Sequence, residues 1–262
     1  MTRFTPDDVA IVAAVNDRET LAQCLSRSPD VAAQRVPLIV VEGAPRMTVA
    51  YNRGLAQTRA SLVLFAHQDV YLPTGWLDRM LAALDALSEA HPDWMVAAPY
   101  GVMADGTHAG CVWDVAMGRQ LGAPGFVPQP IRSADELLLI VRRDAGFAFD
   151  ECLPDWHMYG TDLIQSALAA GRSAWAVDLP VVHNNRPNPS LKGGFTEAYR
   201  YVRRKWRRNL PIHTTCSIIT YNPLPMLRLH YGRRGIPPRL PGLQADSVDV
   251  AVRAGYETAP AD

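Results

Sequence analysis

Short apolar runs alternate with helix-like stretches through the first part of the chain. Residues 9–15, 36–41 and 62–66 are almost wholly apolar and have the length of strands, a pattern typical of strands buried on both faces of a sheet. The segments between them, residues 18–25 and 47–59, have the spacing of helices. Strands that alternate with helices predict a doubly wound α/β sheet.

The pattern changes after residue 98 and returns later. Residues 100–130 are rich in glycine and proline, and a turn at 104–107 predicts a small antiparallel insert. The α/β pattern then resumes as a strand at 136–141, a helix at 162–170 and a strand at 175–182. His183 closes the last of these strands.

The C-terminal part predicts one amphipathic helix. Its apolar face carries Phe195, Tyr199, Val202 and Trp206. Its basic face carries Arg200, Arg203, Arg204, Arg207 and Arg208. We therefore divide the chain into an α/β domain at 1–190, a basic helical extension at 191–232 and an irregular tail at 233–262.

Composition narrows the class of protein. The chain has 262 residues, and its 48% hydrophobic content is ample for a core. Its 26 basic residues balance 26 acidic ones, so no overall field favours nucleic acid. We expect no signal peptide, no membrane span and four unpaired cysteines, which predicts a cytoplasmic protein.

Two strands end in residues that can hold a metal ion. Residues 62–66 run directly into His67, Gln68 and Asp69, and His183 precedes a polar loop. A carboxylate and an imidazole together suit Mn²⁺ better than Mg²⁺, which prefers oxygen ligands. The alternatives are that Asp69 only caps the turn before Pro73 and that His183 bonds a loop carbonyl.

The usual phosphate-binding loops do not follow the first strand. It runs into Asn16, Asp17 and Arg18, without the glycine pattern of dinucleotide-binding or P-loop enzymes. A bound diphosphate therefore needs another source of positive charge. A divalent cation held by a carboxylate and an imidazole supplies it.

Six segments together resemble one enzyme family. They are residues 50–54, 65–70, 135–136, 149–151, 159–163 and 182–183. In this order and spacing they resemble the bacterial family-2-like glycosyltransferases, in the subgroup whose metal motif is His-Gln-Asp. The resemblance implies a GT-A (Rossmann-like) fold, with a mixed, mainly parallel sheet, helices on both faces and a C-terminal helical and irregular extension.

The resemblance also implies roles for particular residues. Asp69 and His183 would bind Mn²⁺ (or Mg²⁺). The nucleotide would contact Asn16, Asp17, Glu42, Asn52, Arg53 and His67, of which His67 faces the ribose. A carboxylate at position 42 can accept hydrogen bonds from uracil or guanine, so UDP and GDP donors both fit.

The catalytic base is harder to place. The family pattern Glu-Asp-x-Asp-Leu aligns with residues 159–163, so that Tyr159 and Gly160 stand where Glu-Asp is usual. Asp162, at the start of a helix, is the first substitute, with Asp155 and His157 as alternatives. A helix cap is the rival role for Asp162.

The sequence thus predicts a metal-dependent glycosyltransferase. It would move a sugar from a nucleoside-diphosphate sugar to an unknown acceptor hydroxyl, with inversion expected and retention left open, in surface polysaccharide or natural-product glycosylation. A non-catalytic nucleotide- or glycan-binding module and a nucleotidyltransferase are the alternatives. The arginine face at 200–208 would at most contact the inner membrane surface peripherally, and a solvated face is its simpler interpretation.

Overall fold

Most of the predicted strands and helices are found. The structure, a computed structural model, describes residues 3–143, 146–186, 194–222, 243 and 245–258. The strands of these residues are β1 (Val9–Val15), β2 (Leu38–Glu42), β3 (Leu62–His67), β4 (Val70–Tyr71), β5 (Trp94–Ala98), β6 (Tyr100–Val102), β7 (His108–Asp114), β8 (Arg119–Gly122), β9 (Gln129–Pro130), β10 (Ser133–Ala134), β11 (Leu138–Arg142), β12 (Ser173–Ala176), β13 (Val181–His183), β14 (Ile212–His213) and β15 (Ile218–Ile219). The α-helices are α1 (Arg18–Gln23), α2 (Pro29–Ala32), α3 (Met47–Leu55), α4 (Trp76–Ala90), α5 (Tyr159–Ala169), α6 (Phe195–Lys205) and α7 (Ser247–Arg253).

The main sheet is mixed. Within the described residues it has seven strands in the order β2-β1-β3-β11-β5-β12-β9. β1 pairs in parallel with β2 and β3, and β12 pairs in parallel with β5. β11 is antiparallel to β3 and β5, and β9 is antiparallel to β12. Five of the strands, β2, β1, β3, β5 and β12, therefore run the same way.

Helices cover both faces of this sheet. Side chains alternate along each strand, so that Ile11 and Leu64 pack on the face that holds α4, whereas Val12 and Phe65 pack on the face that holds α3 and α5. Large apolar residues recur at helical spacing along one side of α4, which predicts a buried stripe. All six of them are buried: Trp76, Leu77, Met80, Leu81, Leu84 and Leu87. The predicted fold class, α/β with a mixed, mainly parallel sheet and helices on both faces, is confirmed.

The predicted strand at 175–182 is two strands in two sheets. β12 belongs to the main sheet, whereas β13 lies in a second sheet, parallel to β7 and antiparallel to β4. Pro180 immediately precedes β13, and a proline has no N–H to continue a ladder. The interruption moves His183 out of the main sheet and beside β4.

The tail is not irregular throughout. Asp246 caps α7 by accepting the N–H groups of Val248 and Asp249, and Val250 and Ala251 pack against the second sheet. The prediction of an irregular tail is therefore wrong for this part. Residues 187–193, where the predicted domain boundary falls, lie outside the described residues, as do 223–242, 244 and 259–262.

Candidate functional site

Four strands meet at one edge of the main sheet. β1, β2 and β3 are parallel and end there, and because β11 is antiparallel to β3, it begins there. A cleft of about 640 Å³ opens at this edge, a size typical of small-molecule sites. Its lining includes Asn16, Glu42, His67, Asp69, Glu136 and His157. Ligands of open α/β sheets bind at such an edge.

Three side chains at this edge form a candidate metal centre. One ligand atom each from His67, Asp69 and His183 lies within 4.8 Å of the others. Asp69 Oδ1 is 3.5 Å from His183 Nε2 and 4.0 Å from His67 Nδ1. The carboxylate therefore stands between two imidazoles.

Backbone pairing brings His183 to Asp69. β4 begins one residue after Asp69, and its Val70 pairs with His183 of β13. The N–H of Asn184 also donates to the carbonyl oxygen of Asp69 at 2.8 Å. The two candidate ligands thus hold their relative position through the main chain, which favours a rigid site.

The tautomer of His67 follows from its hydrogen bonds. The Tyr159 hydroxyl donates to the carbonyl oxygen of Glu136 at 2.8 Å, so it accepts a hydrogen bond from the Nε2–H of His67, 2.6 Å away. His67 Nδ1, which faces Asp69, then carries no proton. Burial lowers the pKa of His67, which keeps the ring neutral and able to bind a cation. His67 was expected at the ribose; the structure places it in the metal cluster.

A second carboxylate stands behind His183. Asp114 Oδ2 lies 3.8 Å from His183 Nδ1, and Asp114 itself accepts from Asn185 Nδ2 at 2.9 Å and the Met117 N–H at 2.8 Å. Burial opposes protonation of His183, but Asp69 and the more distant carboxylates outweigh it and raise its pKa. A carboxylate behind a ligating imidazole orients the ring.

The donor set fits the predicted cation. Two imidazoles and one carboxylate suit Mn²⁺ better than Mg²⁺, which prefers an all-oxygen shell. The structure brings together Asp69 and His183, which the sequence analysis paired, and adds His67.

Besides His67, two of the six predicted nucleotide contacts line the cleft, Asn16 and Glu42. Asn16 follows β1, and its Oδ1 accepts from Gln68 Nε2 at 2.7 Å. Glu42 ends β2 and forms a two-pronged ion pair with Arg18, at 2.8 and 2.6 Å, on the exposed side. Both positions remain candidates for nucleoside recognition.

Three of the predicted nucleotide contacts do not line the cleft. Asp17 caps α1 by accepting the N–H groups of Glu19 and Thr20. Asn52 holds the loop after β11 through hydrogen bonds to the backbone of Phe149. Arg53 is exposed on α3. The side-chain hydrogen bonds of Asp17 and Asn52 described here therefore stabilise the local fold.

Asp162 lies in a separate cluster. It is only 3% exposed, and its carboxylate accepts from Lys205 Nζ at 2.8 Å and Trp206 Nε1 at 2.7 Å. Asp162 does not line the cleft. That Asp162 is the base stays a prediction, and both of its oxygens already face donors, from Lys205 at the end of α6 and from Trp206 after it.

Of the two alternative bases, Asp155 lies outside the cleft and His157 lines it. Asp155 has a positive φ of 63°, its carbonyl accepts the Met47 N–H at 3.1 Å, and it does not line the cleft. His157 does line the cleft, with its ring edge-on to Phe195 at 5.5 Å.

Sequence reasoning missed two residues of the site. Gln68 Oε1 accepts the N–H groups of Asn16 and Asp17 at 3.0 and 3.1 Å, so it ties the end of β3 to the end of β1. Glu136 reaches the cleft from the start of β11. Gln68 lies inside the His-Gln-Asp motif, which was a signal, whereas Glu136 had only its place in the resemblance.

The predicted basic helix corresponds to α6, which ends at Lys205. Phe195, Tyr199 and Val202 are buried, while Arg200 and Arg204 are exposed. Membrane contact through this face stays a prediction. Among the described residues, no helix is both long enough and apolar enough to cross a bilayer.

Comparisons with known proteins find a curated relative and several structural neighbours. No family model matches the chain. The "ATP synthase subunits region ORF 6" protein of Fuscovulum blasticum is 30% identical over 170 residues, which is 62% of this chain and 66% of that protein. The chain therefore spans just under two thirds of this relative.

The structural neighbours include glycosyltransferases. A mannosyltransferase of Pyrobaculum calidifontis, in complex with GDP-mannose and Mn²⁺, has a TM-score of 0.46 at 12% identity, over 77% of this chain and 62% of that one. Staphylococcus aureus TarS, in complex with UDP-GlcNAc, has a TM-score of 0.44 at 15% identity, over 75% of this chain and 66% of that one. At these values the likenesses say nothing about the substrate or chemistry of this chain.

Proposed function

We propose that this protein is a metal-dependent glycosyltransferase. It moves a sugar from a UDP or GDP donor to an acceptor hydroxyl, with inversion at the anomeric carbon. The observation that carries the proposal is the cluster of His67, Asp69 and His183 at the mouth of a cleft formed by the carboxyl ends of parallel strands. The His-Gln-Asp motif belongs to the same segment that resembles family-2-like glycosyltransferases.

Each part of the cleft has a task in this proposal. His67, Asp69 and His183 hold the cation, which, when bound, neutralises the diphosphate and stabilises it as the leaving group. Asn16 and Glu42 line the nucleoside end. The Tyr159 hydroxyl and Asp114 keep the two imidazoles oriented.

Calorimetric titration tests this function. UDP and GDP are titrated into the wild type and Asp69→Asn, with Mn²⁺ or with EDTA. We expect one nucleotide to bind only with Mn²⁺, and Asp69→Asn to weaken it at least about 100-fold, since even an outer-shell substitution costs about 10–100-fold. Asp105→Asn, on an exposed hairpin turn, is the matched control and should bind normally. Failure of both nucleotides to bind wild type under either condition would falsify the proposal.

A non-catalytic nucleotide-binding module is the second candidate. One observation favours it, because Tyr159 and Gly160 stand where the family pattern has Glu-Asp. Such a module would bind the nucleotide with Mn²⁺ but release no UDP or GDP from a nucleotide sugar. Steady turnover of a donor excludes it.

A further inference from the structure

One carboxylate that lines the cleft, Glu136, belongs to neither the candidate metal cluster nor an ion pair among the residues that the structure describes. Glu136 precedes β11, and because β11 runs antiparallel to β3, its first residues lie at the edge where β3 ends. The N–H of His67 donates to the carbonyl oxygen of Leu137 at 2.9 Å. Glu136 is therefore placed beside the metal cluster by main-chain pairing.

The side chain of Glu136 is held at the first turn of α5. Its Oε1 accepts the N–H of Gly160 at 2.9 Å. An N–H at a helix N-terminus has no partner within the helix, so it is available to fix a carboxylate. This bond orients the carboxyl group while it lines the cleft with His67 and Asp69.

Gly160 makes room for this carboxylate. A Cβ atom at position 160 would lie 3.0 Å from Glu136 Cγ, so a larger side chain there and Glu136 would compete for the same space. Position 160 is where the Glu-Asp pair of the resemblance has its aspartate. The helix lacks this aspartate, and the carboxylate of Glu136, just before β11, lies beside the same position.

We propose that Glu136 is the general base of the transfer, an inference that rests on the proposed glycosyltransferase function. The acceptor O–H bond breaks and its proton passes to the Glu136 carboxylate, while the acceptor oxygen forms a bond to the anomeric carbon. The bond from that carbon to the diphosphate oxygen breaks, and its electron pair leaves with the nucleoside diphosphate.

The surroundings of Glu136 make it a stronger base than an ordinary glutamate. Burial raises its pKa to about 8, Asp135 adds to the rise, and the N–H groups of Gly160 and Met158 oppose it. The other titratable groups that face it are Tyr51 on α3, Tyr159 on α5, His67 on β3 and the cleft residue His157. Turnover of the wild type should therefore rise with pH as this carboxyl group loses its proton.

Initial rates of nucleotide release test the assignment. UDP-GlcNAc and GDP-mannose serve as donors, with Mn²⁺ present and water as the acceptor. Glu136→Gln keeps the side-chain shape and an oxygen for the Gly160 N–H, so it should fold and bind the nucleotide within twofold of the wild type. Its turnover should fall by about 10²–10⁴-fold, and the rise with pH should disappear. Glu89→Gln, on the exposed side of α4, is the matched control.

A rescue variant separates catalysis from structure. Glu136→Gly empties the space beside position 160, and adding Gly160→Asp returns a carboxylate from the helix. We expect the double variant to turn over at least tenfold faster than Glu136→Gly alone. Asp162→Asn tests the rival base and should lose stability rather than rate.

The outcomes are distinct. Normal turnover by Glu136→Gln overturns the assignment, and so does a comparable loss of rate in Asp162→Asn with Glu136→Gln unaffected. A wild type that binds UDP or GDP with Mn²⁺ but releases nucleotide from neither donor also counts against it. A wild type that binds neither nucleotide contradicts the proposed function itself, and the base assignment falls with it.

Discussion

Two groups of carboxylates, one in the cleft and one between α5 and α6, differ in what they face. In the cleft, Asp69 stands between two imidazoles, and Glu136 accepts a backbone N–H. In the second group, Asp150 and Asp162 share the ammonium of Lys205 at 2.6 and 2.8 Å. The cleft carboxylates thus face imidazoles and a backbone N–H, whereas both carboxylates of the second group face one ammonium.

The difference separates function from anchoring. Lys205 is the last residue of α6, and Trp206 comes directly after it. Tyr201 of the same helix donates to Asp150 at 2.6 Å. These bonds fasten the end of α6 to α5 and to Asp150. A helix-start aspartate such as Asp162 therefore looks like a base in the sequence and is a tether in the structure.

Removing the cation of the tether should have the largest effect on stability. In Lys205→Met, the 4% exposed side chain of Asp162 keeps its charge without an ammonium partner. We expect the free energy of unfolding to fall by about 3 kcal/mol, the lower end of what breaking a buried pair costs, because Lys205 is itself 28% exposed. Urea unfolding followed by circular dichroism measures it.

The control for Lys205→Met lies on the same helix. Arg200→Met removes an exposed cation and should change the free energy of unfolding by less than about 0.5 kcal/mol. Equal effects of the two variants would show that the Asp150–Asp162–Lys205 cluster is no tether. Mn²⁺-dependent nucleotide binding should survive in both.

The Tyr159 hydroxyl links the cleft group to α5, and its loss should be the next largest effect. Tyr159→Phe removes its bonds to His67 Nε2 and to the Glu136 carbonyl. We expect about 2 kcal/mol of stability to be lost, about 1 kcal/mol for each bond. The exposed Tyr221, whose hydroxyl donates to the Arg207 carbonyl, gives the control Tyr221→Phe. An indistinguishable melting temperature for the two variants would remove the linking role.

The fold was predictable where the pattern was local. The strand at 9–15 and the apolar stripe of α4 follow from spacing alone. The segment at 36–41 was expected to be buried, but among the described strands β2 has only β1 beside it, and its Val40 is 38% exposed. An apolar run does not reveal whether a strand has one neighbour or two.

Site residues that belong to a sequence motif were predictable, whereas those brought together by strand pairing were not. Asp69 and His183 were paired by resemblance, yet the contact depends on β4 and β13 lying side by side. Glu136 enters the cleft only because β11 is antiparallel to β3, which composition and spacing do not reveal. The bond between Asp162 and Lys205 is hidden for the same reason, since the two residues lie 43 positions apart in sequence.

A smaller effect is expected from the carboxylate behind His183. Asp114→Asn removes the negative charge 3.8 Å from His183 Nδ1 while keeping an oxygen for the Met117 N–H. We expect Mn²⁺ affinity to fall by about tenfold, as for other outer-shell partners of ligating histidines. Electron paramagnetic resonance titration of Mn²⁺ measures it, with Asp105→Asn as the control. Unchanged affinity would mean that the main chain alone orients His183.

The two carboxylate groups should also respond to pH in opposite directions, which is the smallest predicted effect. The pKa of Glu136 is about 8 when folded and 4.5 in its ordinary range, so the folded state holds its proton more tightly and stability falls as pH rises from 4.5 to 8. Glu136→Gln cannot ionise. Without metal it should match wild type below pH 4 and be more stable at pH 8, by on the order of 1 kcal/mol after screening.

The stability contributed by Asp150 changes with pH in the opposite direction. Burial raises its pKa, but hydrogen bonds from Lys205 and Tyr201 outweigh burial and lower it to about 2 from 3.8. Its stabilisation is therefore complete above pH 3.8 and is lost as pH falls through 2. At pH 8, Asp150→Asn should be less stable than wild type while Glu136→Gln is more stable, as urea unfolding in EDTA would reveal. If both variants were less stable than wild type at pH 8, both carboxylates would be structural. A group that binds a ligand or a proton instead keeps a charge that the folded protein alone does not favour.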